Sequence, residues 1–155
     1  AREFDWNYMA SIYGHEFEIV YVDSVPAAKD SPKRIGGHLD GCRVGFDAGG
    51  SDRKASAVID GEPVYSEEVV WYPKINSDPD YHYNGIVAAL KSAAAHLPRV
   101  DAVGVSSAGV YIGNRTMSAS LFLKVGAEDF DRKVKDIYNT GDKGHVRRCA
   151  VLRRE

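Results

Sequence analysis

The stretch of this chain best equipped for chemistry is Asp47-Ala48-Gly49-Gly50-Ser51, an acid followed by a glycine pair and a hydroxyl. It closes the short apolar run 42–47. A carboxylate at the end of a buried strand is costly unless it meets a cation or a set of donors. Glycines let the backbone turn sharply and approach a ligand closely. Successive N–H groups in such a turn can cradle a phosphate. Ser51 adds a hydroxyl donor, and Arg53 and Lys54 add positive charge nearby. The chemistry expected is phosphate binding. Asp47 would act through Mg²⁺, while Gly49, Gly50, Ser51 and Lys54 hold the β- or γ-phosphate of ATP. The same five residues also suit a plain β-turn between two strands, so the elements around them matter.

Those elements read as an α/β arrangement. Residues 42–47 form a first strand and residues 54–59 a second. Asp60-Gly61 is a hairpin turn, because both residues tolerate positive φ. Residues 63–71 give a third strand, completing a meander. Residues 72–83, with Pro73, Pro79, Tyr81, His82 and Tyr83, read as a polar loop. From Asn84, an N-cap by type, Ile86, Val87, Leu90, Ala94 and Leu97 recur at helical spacing, and Pro98 stops the helix. Residues 100–106 are a fourth strand. A helix between the third and fourth strands implies a crossover to a parallel partner. Gly113-Asn114 turns a further hairpin over residues 110–122. A last helix spans 127–138, with acids early and lysines late, as the helix dipole favours. Upstream, residues 16–22 alternate charged and apolar before becoming wholly apolar, which is strand periodicity. Residues 24–41, rich in proline and glycine, read as a linker. The expected organisation is an N-terminal extension and linker over 1–41, a main domain over 42–138 and a basic tail over 139–155.

At this point Val44-Gly45-Phe46-Asp47-Ala48-Gly49-Gly50-Ser51 resembles the first phosphate motif of the actin-like ATPase superfamily. Within it the stretch is most similar to the ROK family of sugar kinases and repressors and to hexokinases, whose motif is Asp-x-Gly-Gly-Thr. Ser51 stands where the family has threonine. Residues 103–110 resemble the family's fourth strand and following loop, with Ser106-Ser107-Ala108-Gly109 where ROK proteins have Gly-x-Pro-Gly. The resemblance covers about residues 42–138. It implies a ribonuclease H-like or actin-like ATPase lobe, with a mixed sheet of a three-stranded meander, a crossover helix and a further strand, and flanking helices. It implies ATP and Mg²⁺ as cofactors, Asp47 at the metal, and a sugar substrate or ligand near Ser106, Ser107 and Gly109. A homodimer is compatible with it. No Asn-Asp pair, the family's catalytic motif, occurs in the sequence, and two isolated cysteines cannot form its zinc motif. The expectation is an N-terminal lobe, incomplete as an isolated chain, whose catalytic base lies elsewhere.

Other residues carry weaker signals. The five histidines are scattered without metal-ligand spacing. His82, between two tyrosines beside a helix start, could line a ligand cleft. Ser106 and Ser107 could bond a sugar hydroxyl or simply end a strand. A ribonuclease H-like nuclease shares the meander and its first acid, but needs further carboxylates. The fourth strand ends in serines, leaving Asp129 and Asp131. A sugar-sensing regulatory module of ROK type is the non-enzymatic alternative, and no helix-turn-helix pattern precedes Cys42. Net charge is −2 over 155 residues, which does not favour nucleic acid or membrane as partner. Cys42 and Cys149 form no CxxC pair. With no apolar leader and no run of ~20 apolar residues, the cytoplasm is the expected compartment.

Overall fold

The computed structural model describes residues 2–30 and 37–138. The chain divides into two units, Ala1–His38 and Leu39–Glu155. The basic tail expected over 139–155, with Cys149, lies outside the described residues.

In the first unit, helix α1 runs Glu3–Tyr13. Its ends are closed locally. The Arg2 amide and guanidinium both bond Asp5, and Gly14, at φ 71°, donates its N–H to the Ala10 carbonyl. The strand expected over residues 16–22 does not form. Alternation alone makes no strand when no neighbouring strand receives its backbone groups. Phe17 instead sets its ring 5.6 Å from that of Trp6, and Tyr21 is 93% exposed.

The second unit is built on strand alternation. Strand β1, Cys42–Ala48, buries every second residue, with Cys42, Val44, Phe46 and Ala48 on one face. Strands β2, Asp52–Ile59, and β3, Glu62–Val70, continue it as an antiparallel meander. The turn between them has Asp60 at φ 49° and Gly61 at φ 89°, the pair of positive values expected of a tight hairpin. Helix α2, Pro79–Ala94, then crosses over to β4, Ala102–Ser107, which pairs parallel to β1. The sheet order is β3-β2-β1-β4. The mixed four-stranded sheet and its crossover helix agree with the α/β expectation.

Helix α2 begins five residues before the Asn84 expected as its cap. Asp78 is the N-cap, its carboxylate accepting the Asp80 amide at 2.9 Å, and Pro79 takes the first helical position. Proline there loses no useful donor, so Asp-Pro opens a helix as readily as it opens a loop. Residues 73–75 form one 3₁₀ turn. The buried face of α2, His82, Ile86, Ala89, Leu90 and Ala93, covers one face of the sheet. Leu97, Trp71, Leu121, Phe122 and Val134 complete this core.

After β4, a short hairpin joins β5, Val110–Ile112, to β6, Arg115–Ser118, through Gly113 and Asn114 at positive φ. It ends at Ser118, and a 3₁₀ turn, Ser120–Phe122, follows. The helix expected over 127–138 is α-helical only at α3, Ala127–Asp129, and widens to a π-turn over Phe130–Val134. The Lys135 amide reaches the Phe130 carbonyl, while the Lys135 carbonyl leaves the helix to accept the Thr116 amide of β6 at 2.7 Å. No helix among the described residues is long and apolar enough to cross a membrane.

Candidate functional site

Asp47 is the penultimate residue of β1 and points to the face of the sheet opposite α2. Its register partners are Lys54 on β2 and Ser106 on β4. Paired residues share a face, so the fold brings these three together. Gly45, Ser56, Ser66 and Gly104 form a floor of small residues beside them, and the resulting cleft has a volume of about 510 Å³. Gly45 is needed for this flatness, since a Cβ there would stand 2.7 Å from Ser56 Oγ. The Asp47 carboxylate takes no hydrogen bond or ion pair among the described residues. It is available to a ligand.

The turn above it, Gly49 to Ser51, is fixed from behind by a residue without any motif of its own. The Trp71 indole N–H donates to the Gly49 carbonyl at 2.8 Å, and the Trp71 amide donates to the Ser51 carbonyl at 3.0 Å. Trp71 is buried, 2% exposed. It fits because Gly85 of α2 offers no side chain; a Cβ there would meet the indole at 3.0 Å. The Arg53 guanidinium lies over the same ring, 5.8 Å from its centroid. Gly49 is required sterically, since a Cβ would lie 2.5 Å from the Asp52 carbonyl oxygen.

Two expected phosphate ligands are engaged elsewhere. Lys54 Nζ donates to Asp52 Oδ1 at 2.5 Å and lies 3.9 Å from Glu68 Oε1. Ser51 Oγ donates to the other Asp52 oxygen at 3.2 Å. The Lys54 hydrogen bond holds the Asp52 carboxyl below its ordinary range, and Asp52 in turn raises Lys54. Asp52 is thus a third charged member of the site, unmarked by the sequence.

The proposed sugar contacts separate. Ser106 lies on the cleft, whereas Ser107, one residue on, lies on the α2 face and accepts the Tyr111 hydroxyl at 2.7 Å. Gly109 has φ 153° and comes so close to β6 that a Cβ would sit 2.5 Å from the Ser118 carbonyl. Its glycine is explained by the bend between β4 and β5. His82 does not line the cleft. It is fully buried, with Nδ1 3.0 Å from the Asp78 carbonyl and Nε2 3.0 Å from those of Pro73 and Leu121. Residues 79–83 of the segment expected to be a loop are helix, and helical spacing turns His82 inward. Asp129 and Asp131 pair with Arg132 and Lys135, at 2.8 and 2.9 Å. Among the described residues no three or more His, Cys, Asp or Glu side chains cluster as for a metal ion. Comparisons with protein-family models, curated proteins and solved structures return no match.

Proposed function

We propose that residues 42–138 are the phosphate-binding lobe of an actin-like, ROK-type carbohydrate kinase, binding the phosphates of ATP and a sugar whose hydroxyl receives the γ-phosphoryl group. The observation that carries this reading is the Asp47 carboxylate, which takes no hydrogen bond or ion pair among the described residues, beside a glycine turn whose backbone is held by Trp71. An ordinary hairpin turn needs neither feature. The sheet order β3-β2-β1-β4, with β1 and β4 parallel, supports a ribonuclease H-like or actin-like lobe. In that reading Asp47 holds Mg²⁺, which supplies charge neutralisation at the phosphates. Gly50 and Ser51 present backbone donors, and Ser106 faces the sugar side of the cleft. No Asn-Asp pair occurs in the sequence, so no residue is assigned as base. The cytoplasm, where ATP is abundant, is the compartment that fits.

Calorimetric titration with Mg-ATP tests this. The chain should bind, and Asp47→Ala should weaken binding at least about tenfold, the scale of one lost charged contact. Undiminished binding by the variant would sink the assignment of Asp47.

A further inference from the structure

The lysine that the sequence places in the site, Lys54, is held by two carboxylates. Another cation stands free. Lys74, in the 3₁₀ turn after β3, has no hydrogen-bond or ion-pair partner among the described residues, and its side chain lies across Gly50. Its Nζ is 2.6 Å from where a Cβ of Gly50 would be, and its Cε occupies the same space. Only glycine at position 50 lets the ammonium approach the turn this closely. The Gly50 amide itself donates to no acceptor among the described residues.

Both groups are positioned from the core. The Gly49 carbonyl is tied to the Trp71 indole. In a trans peptide C=O and N–H point in opposite directions, so the next amide, that of Gly50, points away from Trp71. On the other side, the Pro73 carbonyl faces Nε2 of buried His82 and also accepts the Asn76 amide at 3.3 Å, which fixes the turn carrying Lys74. A free N–H and a free ammonium thus both lie at the Gly50 turn, which follows Asp47 in the chain.

We infer that Lys74, with the Gly50 amide, is the phosphate-binding cation of this site, and that Trp71 is the positioning residue behind it. The inference rests on the phosphate-binding reading above and replaces Lys54 in it. An ammonium and a backbone N–H suit the terminal oxygens of a polyphosphate, whereas Lys54 serves to organise Asp52 and Glu68.

Mg-ATP calorimetry on the full chain tests it with Lys74→Met, Lys54→Met, Gly50→Ala and the Gly50→Ala/Lys74→Met double variant, after thermal melts show each folded. Lys74→Met keeps the aliphatic stem on an exposed residue, so the fold should survive. It should weaken binding at least about fivefold more than Lys54→Met, as expected for a charge-assisted contact. It should also flatten the salt dependence of affinity. Gly50→Ala should weaken binding by displacing Lys74, and should add little on top of Lys74→Met, because both remove the same contact. If the wild-type chain binds and the two lysine variants differ by less than this, or Gly50→Ala and Lys74→Met act additively, the Lys74 inference falls and the phosphate site stands. If the wild-type chain does not bind Mg-ATP, both fall.

Discussion

At the scale of single residues, side chains with no motif position the ones that have one. The acid, the glycines and the serine were legible because their types restrict what they can do. Trp71 was not, since a tryptophan ending an apolar strand looks like any core residue until its N–H is seen on the Gly49 carbonyl. His82 was misplaced for a related reason. Its neighbours Tyr81 and Tyr83 suggested a cleft wall, yet its ring joins three chain segments through their carbonyls. Phenylalanine would keep a flat aromatic ring there, slightly larger, and donate nothing. His82→Phe should therefore lower stability by about 2–4 kcal/mol, the cost of stranding buried acceptors. Urea unfolding measures it; a loss under about 1 kcal/mol would mean the ring matters only as bulk.

At the scale of elements, the register of the meander did most of the positioning, and it could be read because strand side chains repeat every two residues. The same rule divides Ser106 from Ser107, as a shift of one residue exchanges faces. Elements whose ends are set by local chemistry were harder. Asp78-Pro79 and Arg2 with Asp5 start helices that the apolar pattern alone does not announce. A comparable clasp starts β1. Asp101 Oδ2 accepts the Cys42 amide at 2.8 Å, Oδ1 accepts Arg99 Nε at 2.7 Å, and the Asp101 amide donates to the Cys42 carbonyl at 2.8 Å. The Arg99 hydrogen bond, then the Cys42 amide, hold the Asp101 carboxyl below its ordinary value of 3.8. Its folded value being the lower one, the charged form's contribution is present above about pH 4 and lost as pH falls through that lowered value. Asp101→Asn keeps an acceptor for Cys42 but loses the charge. Melts should show the variant less stable at neutral pH, with the gap closing below pH 4. A gap independent of pH would refute the role of charge.

At the scale of the second unit as a whole, the two faces and two edges of the sheet differ. One face is covered by α2 and the apolar cluster over β1 and β2, with Val103 and Val105 of β4 still exposed on it, and the other carries the cleft. The β3 edge holds Glu62, Pro63, Glu67 and Glu68, which discourage further pairing, while β4, Ala-Val-Gly-Val-Ser-Ser, carries no charge. The parallel return of the fourth strand followed from sequence because a crossover helix forces it, whereas its place beside β1 did not. The open face did not, since Gly45, Ser56, Ser66 and Gly104 suit a buried contact and a bare floor equally. β1 and β2 each have a partner on both sides, so their amides exchange with solvent only when the sheet opens. Those of β4 that point outward have no strand to bond among the described residues. Hydrogen exchange should find Val44 and Phe46 among the slowest amides and resolve β4 into alternating slow and fast positions, the fast ones at least about a hundredfold quicker. Uniform protection along β4 would mean that its edge is covered in solution, and the cleft at Asp47 would then have a further wall beside Ser106.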